Sequence, residues 1–338
     1  MRYVFAGLVA AGLLGLPAFA ASPPGLIVFS RDFGDDDREL FSIRPDGSGL
    51  TRLTDDDVEE AQPVLSPDRR SIASVGDGEL IVRTASGQQL RRIPVPAEGT
   101  LTEPRWSPGG RWIAFLVERC ENDDDERVAA LRCADLWVVR PDGSERRRLL
   151  MAKVSTHDRV AGYAWSPTGR SVVFERFGRP GLLVVDVASG RTRVLGGTTR
   201  FDSGDPSWSR TGSIAFARQR GRFKGYDLYT VRPDGSRLRR VARTHSAARP
   251  VWSPDGRRIA FLDFRSVSGL NRWRVTVVRT DGSGRRQVGV ATSDRVLVWS
   301  PDGTRLLWQN EPNRIVLGRA DGRGRPTLLT LGSVPDWR

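Results

Sequence analysis

Short apolar segments recur along the chain, and polar residues typical of turns separate them. Triplets such as Ile113-Ala114-Phe115, Val172-Val173-Phe174 and Ile259-Ala260-Phe261 predict strand centres, with outer and middle residues on opposite faces. Each triplet follows a tryptophan and a turn of the type Ser-Pro-Asp-Gly, in which Pro presets φ, Asp bonds the backbone and Gly accepts positive φ. Tryptophan strand, turn and apolar strand therefore predict a β-hairpin.

A second hairpin follows the first in each repeat. Its best example has strands at Leu136–Val139 and Arg147–Leu150, joined by the turn Arg140-Pro141-Asp142-Gly143-Ser144. Two hairpins give four antiparallel strands, A to D. The first phrase starts at seven positions: Leu65, Trp106, Trp165, Trp208, Trp252, Trp299 and Trp337. Four short strands at a period of roughly 40–45 residues are typical of a β-propeller blade.

The two ends of the chain predict how the propeller closes. Leu26–Phe29 is an apolar strand without a tryptophan strand before it, and Val334–Arg338 is a tryptophan strand without a hairpin after it. Joining them leaves no open sheet edge. The sequence thus predicts an all-β, seven-bladed propeller with tryptophans packed between blades. The expected blades are a split blade at 26–54 plus 331–338, and blades near 63–93, 104–150, 164–197, 206–242, 250–289 and 297–330.

The N-terminal segment has the pattern of a secretory signal peptide. Arg2 is followed by an apolar stretch, Tyr3–Leu16, and by a small-residue cleavage site, Ala18-Phe19-Ala20. The apolar stretch is shorter than the about 20 residues that span a bilayer. We expect cleavage of residues 1–20 after Ala20, one propeller domain at 21–338, no transmembrane segment, and a periplasmic or extracellular location.

The charge narrows the class of partner, and the cysteines predict a disulfide. The net charge is +13, but 51 Arg against 2 Lys indicates a compositional bias, and many arginines fall in blade turns. Export argues against nucleic acid, whereas an anionic envelope polymer stays a candidate partner. Cys120 and Cys133 bound an insertion in one blade, and we expect a disulfide between them.

Candidate binding residues fall on one face of the predicted propeller. We call the face with the B–C and D–A connections the loop face, and the face with the A–B and C–D turns the turn face. Variable loops on a rigid scaffold usually carry binding. The predicted binding residues are the acidic Asp35, Asp36, Asp37, Asp55, Asp56 and Asp57 and the basic Arg220, Arg222, Lys224 and His245. Solvated charge is the alternative explanation of these runs.

Candidates for chemistry are few. The only histidines are His157 and His245, and the sequence has neither a glycine-rich phosphate loop nor a nucleophile elbow. Asp123, Asp124 and Asp125 are calcium candidates, although no acidic run has the spacing of a known calcium loop. We therefore expect no catalytic residues and no cofactor except possible calcium, and a monomer.

The repeats resemble those of TolB-like, or WD40-like, β-propellers. The resemblance rests on Trp252–Gly256, Ile259–Phe261 and Arg232–Ser236 and their copies over residues 26–338. It implies a periplasmic docking platform. The expected function is a non-enzymatic, exported scaffold that binds a protein or polymer of the cell envelope through its loop face. The alternatives are a propeller lyase or hydrolase with a site at the central pocket, and a calcium-stabilised structural module.

Overall fold

The chain folds into seven four-stranded antiparallel sheets arranged as blades around a ring. The computed structural model describes residues 25–34, 37–95, 99–121, 131–151, 160–176, 180–221, 224–267, 270–292, 296–310 and 313–338. The predicted signal peptide, Asp35, Asp36, Asp123, Asp124, Asp125, His157 and Arg222 lie outside these ranges. The described residues contain strands and turns only, and none of their segments is a helix that could cross a membrane.

The blades follow one another along the chain, with strand A at the inner end of each sheet.
Blade I consists of β28 (Ser333–Trp337), β1 (Ile27–Gly34), β2 (Asp37–Ile43) and β3 (Thr51–Arg52). Blade II consists of β4 (Glu60–Leu65), β5 (Ser71–Gly76), β6 (Glu79–Thr84) and β7 (Gln89–Ile93). Blade III consists of β8 (Thr100–Trp106), β9 (Ile113–Glu121), β10 (Leu131–Val139) and β11 (Arg147–Leu150). Blade IV consists of β12 (Val160–Trp165), β13 (Ser171–Arg176), β14 (Leu182–Asp186) and β15 (Thr192–Val194).

The last three blades repeat the same order. Blade V consists of β16 (Ser203–Trp208), β17 (Ile214–Gln219), β18 (Tyr226–Val231) and β19 (Arg239–Ala242). Blade VI consists of β20 (Ala247–Trp252), β21 (Arg258–Val267), β22 (Leu270–Arg279) and β23 (Arg286–Ala291). Blade VII consists of β24 (Leu297–Trp299), β25 (Arg305–Gln309), β26 (Arg314–Arg319) and β27 (Thr327–Leu331).

The C-terminal strand closes the ring, as the sequence predicts. In blade I, β28 pairs with β1, with Trp337 opposite Ile27 and Ser333 opposite Ser30. Strand β28 also contacts β4 of blade II and β24 of blade VII, so strand A of blade I sits between those of its two neighbours. A strand contributed by the last residues thus protects both edges that an open array would expose.

The repeated turns form for the reasons that their residues suggest. In the A–B turn of blade VI, the Ser253 hydroxyl donates to Asp255 Oδ1 at 2.5 Å and accepts the Arg258 N–H at 2.9 Å. In the C–D turn of blade III, Asp142 Oδ1 accepts the backbone N–H and hydroxyl of Ser144, at 2.9 and 2.7 Å. These bonds lower the pKa of Asp142, the side-chain bond from Ser144 being the largest cause. Gly143 adopts φ of 85°, which glycine accepts at little cost.

The tryptophans of strand A join neighbouring blades, which confirms the predicted packing role. Four of their indole N–H groups reach back to a carbonyl in strand A of the preceding blade. The bonds run from Trp106 to Val64 (3.1 Å), Trp165 to Arg105 (3.0 Å), Trp252 to Ser207 (3.0 Å) and Trp299 to Val251 (3.0 Å). Because each bond satisfies a polar atom at the interface of two sheets, the indole is tied to one orientation.

Many arginines also have a role between blades. Arginines of strand D donate to a carbonyl in the C–D turn of the following blade. The pairs are Arg147 with Ala188 (3.0 Å), Arg193 with Pro233 (2.7 Å), Arg239 with Asp281 (2.5 Å) and Arg286 with Asp321 (3.0 Å). Part of the basic charge is therefore used to fasten the blades to one another rather than to attract a polyanion.

Candidate functional site

The described candidate residues all lie on connections of the loop face. Asp37 begins β2, and Asp55, Asp56 and Asp57 lie on the D–A connection between blades I and II. Arg220 and Lys224 lie on the B–C connection of blade V, and His245 on the D–A connection to blade VI. The acidic and basic groups are on different sides of the ring, so the structure does not bring them into one site.

Two carboxylates of the acidic group are paired within the chain. Arg52 Nη2 lies 2.7 Å from Asp55 Oδ1 and 4.0 Å from Asp37 Oδ1, and it donates to the buried Glu39 at 2.9 Å. The hydrogen bond to Glu39 is the first cause of the raised pKa of Arg52. The bond of Arg52 with Glu39 links strands C and D of blade I, while Asp37 and Asp55 pair with Arg52 from exposed positions, where 51% and 81% of their side chains are exposed.

Asp56 belongs to a second and more buried pair. Arg83 is only 4% exposed, and its Nη2 lies 2.8 Å from Asp56 Oδ2 while its Nε donates to Glu60 at 2.9 Å. Burial raises the pKa of Glu60 to about 7, against the opposing effect of Arg83. Of the acidic group, Asp57 is exposed and has no ion pair among the described residues.

The described residues of the basic group are exposed except for Arg220, which is half-buried. Arg220 Nη2 donates to the carbonyl of His245 at 3.2 Å, and its Nε lies 3.5 Å from the buried Asp227. The His245 backbone N–H donates to Asp263 Oδ1 at 2.9 Å. His245 itself is exposed on the loop face. Lys224 is also exposed and has no ion pair among the described residues. We call Lys224, His245 and the exposed Arg243, which lies two residues before His245, the basic sector.

The two cysteines lie on neighbouring strands of blade III. In the register of β9 and β10, Cys120 is opposite Arg132 and Cys133 is opposite Arg119. Their side chains lie outside the described part of the structure, so the disulfide stays a prediction.

A polar cluster in the central channel was not predicted. It consists of Glu103 in β8, Glu175 in β13, Asp205 in β16 and Arg249 in β20. Arg249 Nη1 lies 3.7 Å from Glu103 Oε1, and its Nε lies 3.7 Å from Asp205 Oδ1. Because blades III and VI are separated by two other blades, the pair of Arg249 and Glu103 must cross the channel.

An irregularity of strand A positions this cluster. Gln62, Glu103, Asp205 and Arg249 each precede a proline and have φ of 53°, 52°, 51° and 48°. The strand register shifts at each of these positions, which marks a β-bulge. Bulges re-aim side chains and are frequent beside functional sites. In the sequence, these bulges are marked by a polar residue followed by proline. The pair stands shortly before the tryptophan of strand A, or before Leu65, which takes the place of that tryptophan in blade II.

Side chains from the preceding blade satisfy the backbone of these bulges. The Glu103 N–H donates to Gln62 Oε1 at 2.6 Å, and the Arg249 N–H donates to Asp205 Oδ2 at 3.0 Å. The Asp205 N–H donates to Glu175 Oε2. The bonds link blade II to III, IV to V and V to VI, and so the channel wall is fastened on both sides of the ion pair.

Glu175 has the most perturbed carboxyl of the cluster. Burial raises its pKa to about 8, and the nearby Asp205 adds to the rise. Burial also raises the pKa of Tyr226, with Asp202 and Glu175 as further causes. At neutral pH, Glu175 is therefore mainly protonated, and the carboxyls of Glu103 and Asp205 lie against Arg249.

The cluster has no arrangement suited to a metal ion. Within the described ranges, no three His, Cys, Asp or Glu side chains come together as a metal site. Its clearest effect is to connect blades III, IV, V and VI around the channel, through strand A of blades III, V and VI and strand B of blade IV. The class of protein defined by this fold is a closed seven-bladed β-propeller with an ion-paired channel.

Comparisons with known proteins identify the kind of propeller. No protein-family model matches the chain. The chain is 28% identical over 203 residues to a protein TolB homolog from Chlorobium luteolum, covering 59% of this chain and 43% of that protein. It is also 28% identical over 166 residues to the uncharacterized peptidase YuxL from Bacillus subtilis, covering 47% of this chain and 21% of the relative. The chain thus spans less than half the length of either curated relative.

Solved structures agree at the level of the fold. TolB from Acinetobacter baumannii superimposes with a TM-score of 0.56 at 16% identity, covering 92% of this chain and 82% of that one. Oligogalacturonate lyase from Vibrio parahaemolyticus superimposes with a TM-score of 0.61 at 14% identity, covering 92% and 87%. Together, these matches confirm the resemblance to TolB-like propellers. The neighbours of the fold include enzymes as well as TolB.

Proposed function

We propose that this chain is an exported, non-enzymatic propeller that binds an acidic protein of the cell envelope through the basic sector of its loop face. The observation that carries the proposal is the contrast between the two charged groups. Asp37, Asp55 and Asp56 are ion-paired with the chain's own arginines, whereas Lys224 and Arg243 have no ion pair among the described residues. A charged group that is not neutralised internally can steer and orient a partner of opposite charge.

The rigid channel supports the same proposal. The ion pair of Arg249 with Glu103 and the bonds to Gln62 and Asp205 hold the inner strands together. The connections of the loop face therefore project from a fixed frame, and little conformational entropy is lost when a partner binds. The similarity to TolB supports an exported location for such a scaffold.

Affinity capture from an envelope extract tests the proposal. The test variant carries Lys224→Glu and Arg243→Glu, and the matched control carries Arg323→Glu and Arg325→Glu on exposed positions of the turn face. Both variants change the net charge equally. We expect wild type and control to retain the same partner and the test variant to lose it. Equal retention by both variants would refute the assignment to the basic sector.

A propeller enzyme acting at the channel is the second candidate. Glu175, with its pKa raised to about 8, has the protonation that a general acid requires at neutral pH. The similar proteins include an oligogalacturonate lyase and a peptidase, which supports this second candidate. Screening on uronides, glycosides and peptides, with Glu175→Gln beside wild type, separates the candidates. We expect no turnover; turnover that Glu175→Gln abolishes would favour the enzyme.

A further inference from the structure

Trp208 departs from the rule that Trp106, Trp165, Trp252 and Trp299 follow. Its indole N–H donates at 3.2 Å to Gly212, in the turn of its own blade, instead of to strand A of blade IV. Trp106 and Trp165 are 5% and 8% exposed, whereas Trp208, like Trp252, is only half-buried. The indole N–H of blade V is therefore bonded within its own blade, and part of Trp208 is open to solvent.

The length of the A–B turn explains this departure. In blade VI, the Ser253 N–H donates to the Arg258 carbonyl five residues on, at 2.9 Å. In blade V, the Ser209 N–H donates to the Ser213 carbonyl four residues on, at 2.8 Å. The turn of blade V is one residue shorter, which brings the Gly212 carbonyl within reach of the Trp208 indole.

A second difference concerns the residue that faces this indole. Between blades VI and VII, Arg258 lies over the Trp299 ring at 5.0 Å and donates to the Gly303 carbonyl at 2.8 Å. The equivalent position in blade IV, directly before the apolar triplet of strand B, is Ser171. Serine is too short to lie over the neighbouring indole as Arg258 does. Ser171 and Trp208 instead both line a groove.

The Trp208 groove has the size and chemistry of a ligand site. It encloses about 690 Å³ on the turn face between blades IV and V, within the range of about 300–1,000 Å³ typical of ligand pockets. Its lining includes Trp208, Thr168, Ser189, Asp186, Arg191 and Arg193. Asp186 accepts the N–H and hydroxyl of Ser189, both at 2.8 Å, and Arg193 donates to the Pro233 carbonyl at 2.7 Å. Arg191 has no ion pair among the described residues.

We propose that the Trp208 groove binds an anionic carbohydrate, with Trp208 as the stacking surface and Arg191 as the contact for a carboxylate. An indole face packs against the apolar face of a sugar ring, while neighbouring hydroxyls bond its hydroxyl groups. An arginine adds a directional, charge-assisted hydrogen bond to a carboxylate. The proposal is independent of the partner site, since the groove is on the opposite face of the ring.

A similar groove provides an internal control. The groove between blades VI and VII encloses about 440 Å³ and is lined by Arg257, Arg258, Arg279 and Arg286, with no aromatic residue. It has four arginines and three aspartates, and the Trp208 groove has two arginines and one aspartate, so both linings have a net charge of +1. If net charge alone governed binding, both grooves would bind the same ligand equally well.

Calorimetric titration with oligomannuronate hexamer, a uronic acid probe, tests the proposal. The main variant is Ser171→Arg. It places a guanidinium beside Trp208, in the same way that Arg258 lies over Trp299. The second is Arg191→Glu at an exposed position, and the control is Arg257→Glu in the other groove. We expect wild type and control to bind alike, and both test variants to bind at least tenfold more weakly. Unchanged melting temperatures confirm that the variants fold.

The remaining outcomes each count against the proposal. The site would be refuted if the wild type did not bind the hexamer, or if Ser171→Arg and Arg191→Glu bound it as tightly as the wild type. Equal binding of neutral maltohexaose would refute the need for an anionic ligand. If a glutamate hexamer bound as tightly as the uronic acid hexamer, and the groove variants weakened that binding, the ligand would be an acidic peptide and not a carbohydrate.

Discussion

Replacement of Glu175 by glutamine should change how the stability of the protein depends on pH. Burial raises the pKa of Glu175 in the folded state to about 8, from its ordinary value of 4.5. Between these values, the folded protein holds a proton that the unfolded chain releases. Raising the pH through this interval therefore favours the unfolded state. Glutamine keeps the shape and the acceptor for the Asp205 N–H but does not titrate.

The size of the effect follows from proton linkage. A difference of one bound proton changes the free energy of unfolding by about 1.4 kcal/mol per pH unit, or roughly 4 kcal/mol from pH 5 to 8. The Glu175 side chain is half-buried and keeps some contact with solvent. Screening by that solvent reduces the effect, and we expect a loss of about 2 kcal/mol.

Urea unfolding at pH 5, 6, 7 and 8 measures this loss. Glu60, whose pKa burial raises to about 7, contributes in the same direction in wild type and variant. The difference between the two proteins therefore isolates Glu175. We expect wild type to lose stability relative to Glu175→Gln as the pH rises. Parallel curves, or a wild type that gains on the variant, would refute the account of the channel.

Further predictions concern the packing, the buried charges and the closure of the ring. Trp165→Ala should cost about 3–5 kcal/mol in urea unfolding, because it empties an interface between blades; a cost below 1 kcal/mol would contradict that role. Arg83→Met should cost about 3–5 kcal/mol at pH 8, since Glu60 is left buried and unpaired, and less at pH 5. Ser30→Cys with Ser333→Cys should give a 30–333 disulfide by mass spectrometry, because these residues face each other across β1 and β28; failure to form it would argue against closure. Millimolar calcium should leave the melting temperature unchanged, and a rise would favour the calcium-stabilised module.

The repeat allowed much of the fold to be predicted. Each tryptophan phrase and each Pro-Asp-Gly turn specifies a local hairpin, so the blade and its strand order follow from short-range chemistry. The closure by Trp337 follows as well, since the first blade lacks its tryptophan strand. The hairpins depend on local residues alone, and the closure, although it joins the two ends of the chain, follows from the number of strands in the first and last repeats.

The sites were less accessible to prediction, because they depend on contacts between distant segments. The pairing of Asp55 with Arg52, and of Asp56 with Arg83, depends on the register of strands and loops. The contact of Arg249 with Glu103 arises only once the ring is closed. The bond of Trp208 to Gly212 accompanies a turn that is one residue shorter, a signal that is present in the sequence but has no meaning without the neighbouring blade.

Site-specific photo-crosslinking tests the proposed partner surface most directly. A photoreactive residue at Lys224 samples the basic sector, and the same residue at Arg323 samples the turn face. Crosslinking in an envelope extract is followed by mass spectrometry of the captured protein. We predict a discrete crosslinked protein from position 224, with an acidic surface at the point of attachment, and none from position 323. Capture of the same protein from position 323 alone would contradict the central claim.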